Sequence, residues 1–109
     1  MKAPTPAQAE RLHKIIEECA EVIQIAAKTL DHGFDSYNPD DPSVDNRRLL
    51  EQELGDLKCV IGLGVLCGDI SQDRIALGAV VKSRKVGRYT HHQRPEVLEQ
   101  LQEICAADM

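Results

Sequence analysis

Apolar residues recur at helical spacing along the first third of the chain. They return every three or four positions, which is the pattern of an amphipathic helix. Thr5 is a suitable N-cap, Pro6 suits the first helical position, and Gly33 is a typical residue at a helix end. The pattern therefore predicts a helix from Pro6 to Gly33. Its predicted apolar stripe comprises Leu12, Ile15, Ile16, Cys19, Val22, Ile23, Ala26, Ala27 and Leu30.

A segment rich in turn residues follows. Residues 33–46, GFDSYNPDDPSVDN, combine Gly, Asn-Pro, Asp-Pro and clustered Asp, which predicts a loop. Asp45 or Asn46 can cap a second helix that runs to about Gly68. The second half of this helix, with VIGLGVL, is apolar nearly all round, which predicts burial against another subunit.

Two further helices complete the pattern. Ser71 opens a third helix that ends in the basic stretch KSRKVGRY, and Pro95 starts a short last helix. No alternating strand pattern is found. The sequence therefore predicts an all-α fold in a single domain over residues 1–109, with three main helices and a short C-terminal helix. Oligomerisation is expected to complete a four-helix core.

Acidic residues interrupt both predicted apolar stripes. Glu53 lies four residues after Leu49, near the centre of the stripe of the second helix, and Asp56 lies about 60° away on its edge. Glu18 lies at the rim of the stripe in the first helix, with Glu21 one turn further on. An ionised carboxylate in an apolar surface is costly unless it is paired, protonated or bound to a metal.

Carboxylates that converge in one cleft repel each other unless a divalent cation lies among them. All-oxygen ligands suit Mg²⁺ or Mn²⁺ and do not suit zinc. The alternative is that these residues form a solvated helix face, because glutamate-rich helices are common and usually present one. Spacing alone leaves both interpretations open.

Composition narrows the classes of function. The net charge is −5, and the chain has one Phe, two Tyr and no Trp, which argues against a nucleic-acid partner. The four cysteines have no metal-binding spacing and are expected to be reduced. Neither a signal peptide nor a membrane span is recognised. These features predict a cytoplasmic protein, or one in the host cytoplasm if it is phage-encoded.

The basic residues are concentrated late in the chain. Lys82, Arg84, Lys85 and Arg88 fall within seven positions of an otherwise acidic protein. If this basic stretch faces the carboxylates, the charge of a triphosphate would be shared between cation and side chains. The alternative is that basic residues at a helix C-terminus complement the helix dipole.

Two motifs together carry a resemblance. Glu17-Glu18-x-x-Glu21 followed by Glu53-x-x-Asp56, in the context EQELGDL, resembles the signature of the MazG-like all-α nucleoside triphosphate pyrophosphohydrolases. The resemblance covers roughly residues 10 to 93. It implies hydrolysis of a nucleoside triphosphate between the α- and β-phosphates, which gives a monophosphate and pyrophosphate.

The resemblance also implies roles for individual residues. Glu17 would orient the ligands or the attacking water, and Tyr89 would contact sugar or base. Independently of the resemblance, a glutamate left unligated could act as general base, for which Glu17 or Glu21 is the candidate. Four carboxylates are implied as ligands of Mg²⁺, for which Mn²⁺ can substitute: Glu18, Glu21, Glu53 and Asp56. Three basic residues are implied as phosphate ligands: Lys82, Lys85 and Arg88.

The substrate and the assembly follow from the same resemblance. Some short phage-type and bacterial members act on purine deoxynucleotides, which favours a substrate such as dGTP for this chain, and a homodimer or homotetramer is expected. Phosphoribosyl-ATP pyrophosphatase, which carries a similar carboxylate motif, is the alternative enzyme. A non-catalytic helical interaction protein is the alternative from another class.

Overall fold

The computed structural model describes residues 2–109, and most of them are helical. The chain forms two compact units, of which the first ends at Asp69 and the second begins at Ile70. The predicted all-α class is confirmed at this level, although a small sheet is also present. The single domain predicted over residues 1–109 stays a prediction. In chain order the elements are α1 (Pro6–His32), β1 (Tyr37–Asn38), β2 (Asp41–Asp45), α2 (Asn46–Leu66), α3 (Gln72–Lys85), a 3₁₀ helix (Val86–Arg88) and α4 (Pro95–Ala107).

The helices begin at the predicted capping residues. Thr5 and Gln8 form a capping box at the start of α1, in which each side chain accepts a hydrogen bond from the other's backbone N–H. Asp45, rather than Asn46, caps α2 with its side chain. Ser71 caps α3 in the same way. These caps satisfy donors that a helix start leaves unpaired.

The segment predicted to be a loop contains an antiparallel pair of short strands. Asn38 of β1 pairs with Asp41 of β2, with Pro39 in the turn between them, and the register is irregular beyond that pair. The prediction that the chain has no strand is therefore wrong. Strands of two and five residues are too short to display an alternating pattern.

The core of the first unit lies between α1 and α2. Ile25 and Thr29 are the buried residues of α1, yet neither belongs to the predicted stripe. Leu30 of that stripe is 88% exposed and Ile23 is 70% exposed. The reason is that α1 carries two apolar rows, and the row that includes Ile23 and Leu30 stays uncovered.

Two polar contacts join the ends of this helix pair. Near the hairpin, the wholly buried Asn46 donates a side-chain hydrogen bond to the carbonyl of Gly33 (3.0 Å). Its backbone N–H donates to the carbonyl of Ser36 (2.9 Å). At the other end, the Arg11 guanidinium donates two hydrogen bonds to the Asp69 carboxylate. That ion pair holds the pKa of Asp69 below its ordinary value. The two contacts fix the register of α1 against α2.

The second unit consists of α3, the 3₁₀ helix and α4. Ala76, Val80 and Ser83 of α3 are buried, and the Ser83 hydroxyl donates to the Val80 carbonyl (2.6 Å). A Cβ on Gly87 would lie 3.1 Å from a methyl group of Leu98 in α4, so the backbone approaches that helix closely. All four cysteines of the chain are free. Within residues 2–109, no helix combines the length and the apolar character needed to cross a membrane.

Candidate metal centre

Four carboxylates from α1 and α2 meet in the first unit. Glu18 and Glu21 are one turn apart on α1, and Glu53 and Asp56 are one turn apart on α2. One oxygen from each residue lies within 4.8 Å of the corresponding oxygens of the other three. The structure thus brings together the four residues that the sequence suggested as metal ligands. We call them the carboxylate cluster.

Burial makes this cluster different from a solvated acidic face. Glu18, Glu21 and Glu53 are half-buried, whereas Asp56 is exposed. Oε2 of Glu18 and Oε2 of Glu53 are shielded from solvent and have no hydrogen-bond partner among the described residues. Buried polar oxygens are nearly always satisfied in native proteins. These two therefore require a proton, a donor or a cation.

The environment favours the protonated form of two of these groups. The adjacent Glu21 carboxylate, to which a protonated Glu53 can donate, and loss of hydration raise the pKa of Glu53 to about 7, and the charges of Glu21, Asp56 and Glu18 act in the same direction. Burial, followed by the charges of Glu21 and Asp56, raises the pKa of Glu18. A protonated Glu53 can donate to Glu21, whereas an ionised Glu53 only adds repulsion.

A cleft opens beside the cluster. It has a volume of about 360 Å³ and combines charged, amide and apolar side chains. We call it the first cleft. Sequence reasoning missed Gln24 and Lys28, although they follow Glu21 by three and seven residues, a spacing that keeps all three on one side of a helix. The lining residues of the first cleft are Glu21, Gln24, Ile25, Lys28, Leu49 and Glu53.

Glu17 lies outside the carboxylate cluster. Its carboxylate is about half exposed and pairs with Lys14 on the same helix, at 3.3 Å from Nζ. Its charge is nevertheless one of the causes that raise the pKa of Glu18. The role suggested for Glu17, in orienting the ligands or the water, stays a prediction.

The predicted phosphate ligands belong to the second unit. Lys82 and Lys85 lie in the last turn of α3, and Arg88 lies in the 3₁₀ helix. The Lys82 ammonium lies 5.7 Å from the centre of the Tyr89 ring, and Tyr89 is 72% exposed. The four residues are therefore exposed and close in sequence. Their contact with phosphate, sugar or base stays a prediction.

The cluster has the composition of a site for a hard cation. It offers only carboxylate oxygens, which Mg²⁺, Mn²⁺ and Ca²⁺ prefer. A cation among the four groups would neutralise their mutual repulsion and would satisfy the two buried oxygens. The residues present therefore fit a divalent ion.

Comparison with models of protein families gives no match for this chain. Comparison with curated proteins gives none either. No match is found among solved structures.

Proposed function

We propose that the protein is a Mg²⁺-dependent nucleoside triphosphate pyrophosphohydrolase. It would cleave a nucleoside or deoxynucleoside triphosphate between the α- and β-phosphates, to give the monophosphate and pyrophosphate. The observation that carries the proposal is the carboxylate cluster, with four oxygens within 4.8 Å of one another. The resemblance of its residues to the MazG-like signature supplies the reaction.

Each residue of the cluster has a proposed role. Glu18, Glu21, Glu53 and Asp56 would hold Mg²⁺, with Mn²⁺ as a substitute. The ion would supply positive charge that stabilises the transferring phosphoryl group and the pyrophosphate leaving group. Glu21 also lines the first cleft, and a Glu21 oxygen that is not bound to the ion could accept a proton from the attacking water. Glu17 remains the other proposed general base.

The basic stretch is proposed to bind phosphate. Lys82, Lys85 and Arg88 are exposed cations in an acidic protein, and cationic side chains stabilise charge on transferring phosphates. Tyr89 is proposed to contact sugar or base, because its ring is exposed beside Lys82. Replacing Lys85 by methionine should raise KM for the triphosphate. Replacing Lys58, on α2, is the control.

The activity is tested by measuring pyrophosphate release from all eight common nucleotides and from phosphoribosyl-ATP, with and without Mg²⁺. We expect Mg²⁺-dependent release from one or more triphosphates. Glu53→Gln and Asp56→Asn should each abolish it, whereas Glu51→Gln, which alters an exposed residue of the same helix, should not. Turnover that survives both cluster variants would remove the proposal. Release from phosphoribosyl-ATP alone would assign the alternative enzyme.

A titration calorimetry experiment separates an enzyme from a non-catalytic interaction protein. The proposed enzyme should show a saturable Mg²⁺ site, and its unfolding temperature should rise in Mg²⁺. A helical interaction protein whose carboxylates only keep it soluble should show neither effect. The same Glu53→Gln and Glu51→Gln variants provide the matched comparison.

We also propose that the chain forms a homodimer or homotetramer in the cytoplasm, where nucleoside triphosphates are found. Three apolar side chains support assembly, because Ile23, Leu30 and Leu66 are 70%, 88% and 85% exposed. Such side chains are commonly buried between subunits. Light scattering coupled to size exclusion should give a mass above 12.1 kDa. A monomer at all accessible concentrations would contradict this proposal.

A further inference from the structure

A second cleft lies next to the first. Its volume is about 310 Å³, and it lies between the helix pair and the β1–β2 hairpin. The two clefts share Lys28 and Leu49 as lining residues. The two clefts therefore adjoin each other between the carboxylate cluster and the hairpin. The lining residues of the second cleft are Lys28, Asn38, Asp41, Val44, Leu49 and Gln52.

The second cleft combines a cation and a carboxylate that are not paired with each other. Throughout residues 2–109, Lys28 makes no ion pair or side-chain hydrogen bond. Asp41 accepts one hydrogen bond, from the Ser43 hydroxyl at 2.7 Å, and keeps its remaining acceptor capacity. Lys28 thus offers up to three donors and Asp41 offers acceptors to whatever enters the cleft.

The other lining residues suit a flat heterocycle. Val44 and Leu49 are half-buried and supply apolar surface, while Asn38 and Gln52 supply amides that can donate and accept. Small-molecule sites typically have an apolar lining with a small number of polar groups that fix the orientation of the ligand. A base with both acceptors and donors on its edges would satisfy such a set.

Guanine matches this set better than the other bases. Its O6 and N7 atoms accept hydrogen bonds and commonly pair with Lys or Arg. Its N1–H and N2–H₂ groups are adjacent donors, which a single carboxylate can accept together. Adenine presents an amino group where guanine presents O6, so the Lys28 ammonium would face a donor. Cytosine, uracil and thymine lack two adjacent donors for Asp41.

We propose that the second cleft binds the base of the substrate and selects guanine, with Lys28 donating to O6 and N7 and Asp41 accepting from N1–H and N2–H₂. The assignment rests on the proposed function, in which Mg²⁺ held by the carboxylate cluster beside the first cleft would bind the phosphates. It makes Lys28 and Asp41 the residues that determine specificity, and it gives the hairpin a role in base recognition.

The first test compares kcat/KM for dGTP, dITP and dATP. Asp41→Asn should reduce the preference for dGTP over dITP, which lacks the N2 amino group. Lys28→Met should reduce the preference for dGTP over dATP. Each loss should be about tenfold to a hundredfold, as for one bidentate contact to a base. Asp40→Asn and Lys58→Met, whose side chains do not line either cleft, should retain the wild-type ratios.

The second test needs no metal and no turnover. Deoxyguanosine and deoxyadenosine are titrated into the protein in EDTA, and the backbone amide NMR shifts near Lys28 and Asp41 are followed. Deoxyguanosine should bind more tightly than deoxyadenosine, and this difference should be lost in Asp41→Asn but not in Asp40→Asn. That result would support base recognition by the second cleft even if no triphosphate were hydrolysed. Equal binding of the two nucleosides, or a guanine preference that survives both cleft variants, would overturn it. Failure of hydrolysis alone would count only against the proposed activity.

Discussion

Replacing Glu53 by glutamine removes one ionisable group from the carboxylate cluster while keeping the size of the side chain. In the metal-free protein, the pKa of Glu53 is raised to about 7, from an ordinary value of 4.5. A cation binds the ionised carboxylate, so binding must release the proton that Glu53 holds near neutral pH. Mg²⁺ affinity should therefore depend on pH in the wild-type protein.

The magnitude follows from the raised pKa. A group with a pKa of about 7 is about 9% ionised at about pH 6 and about 91% ionised at about pH 8. The apparent Mg²⁺ affinity should therefore rise about tenfold over this interval from Glu53 alone. Glu18, whose pKa is also raised, adds to the trend. Glu53→Gln should bind Mg²⁺ more weakly and should retain only the dependence that Glu18 contributes.

Isothermal titration calorimetry measures both quantities. Titrations of Mg²⁺ in two buffers of different ionisation enthalpy give the number of protons released, and a series from about pH 6 to about pH 8 gives the affinity. Glu51→Gln is the matched control, since Glu51 is exposed on the same helix. The reasoning would be refuted by a wild-type affinity that is independent of pH, or by equal behaviour of the two variants.

Three further outcomes are expected. In EDTA, the stabilisation from protonated Glu53 is fully present below about pH 4.5 and is lost as pH rises through about 7. The thermal unfolding temperature of the wild-type protein should fall over this interval. In Glu53→Gln the fall should be smaller. Asn46→Ala removes the buried amide that donates to the Gly33 carbonyl and should lower the free energy of unfolding in urea by about 0.5–1.5 kcal/mol. Asp69→Asn should destabilise less, because the pair with Arg11 is partly exposed, and the loss should shrink in high salt.

Local chemistry made the helix boundaries predictable. Thr5, Ser71 and Pro95 stand at the observed starts of α1, α3 and α4, because capping and fixed proline geometry act within one turn of the chain. The carboxylate pair within each helix was also predictable, since a spacing of three residues keeps Glu53 and Asp56 on neighbouring parts of the helix surface. Both inferences need only the geometry of a single helix.

Features that depend on which element packs against a given face of a helix were not predictable from the sequence. Two apolar rows run along α1, and composition does not say that the row with Ile25 meets α2. The contact between Arg11 and Asp69 joins residues 58 positions apart and leaves no local signal. The second cleft was missed for the same reason, because Lys28 and Asp41 come together only through the hairpin.

The buried amide of Asn46 and the ion pair of Arg11 hold opposite ends of the same two helices. A helix slides past its neighbour in steps set by its ridges and grooves, and any such step would break both contacts at once. The backbone spacing beneath the carboxylates is thus constrained from outside the cluster, at both ends of the helix pair. Mg²⁺ requires oxygen distances near 2.1 Å, and Ca²⁺ requires longer ones of about 2.3–2.6 Å. If the two contacts hold the helix spacing constant, the carboxylate cluster would select between these ions by their radius.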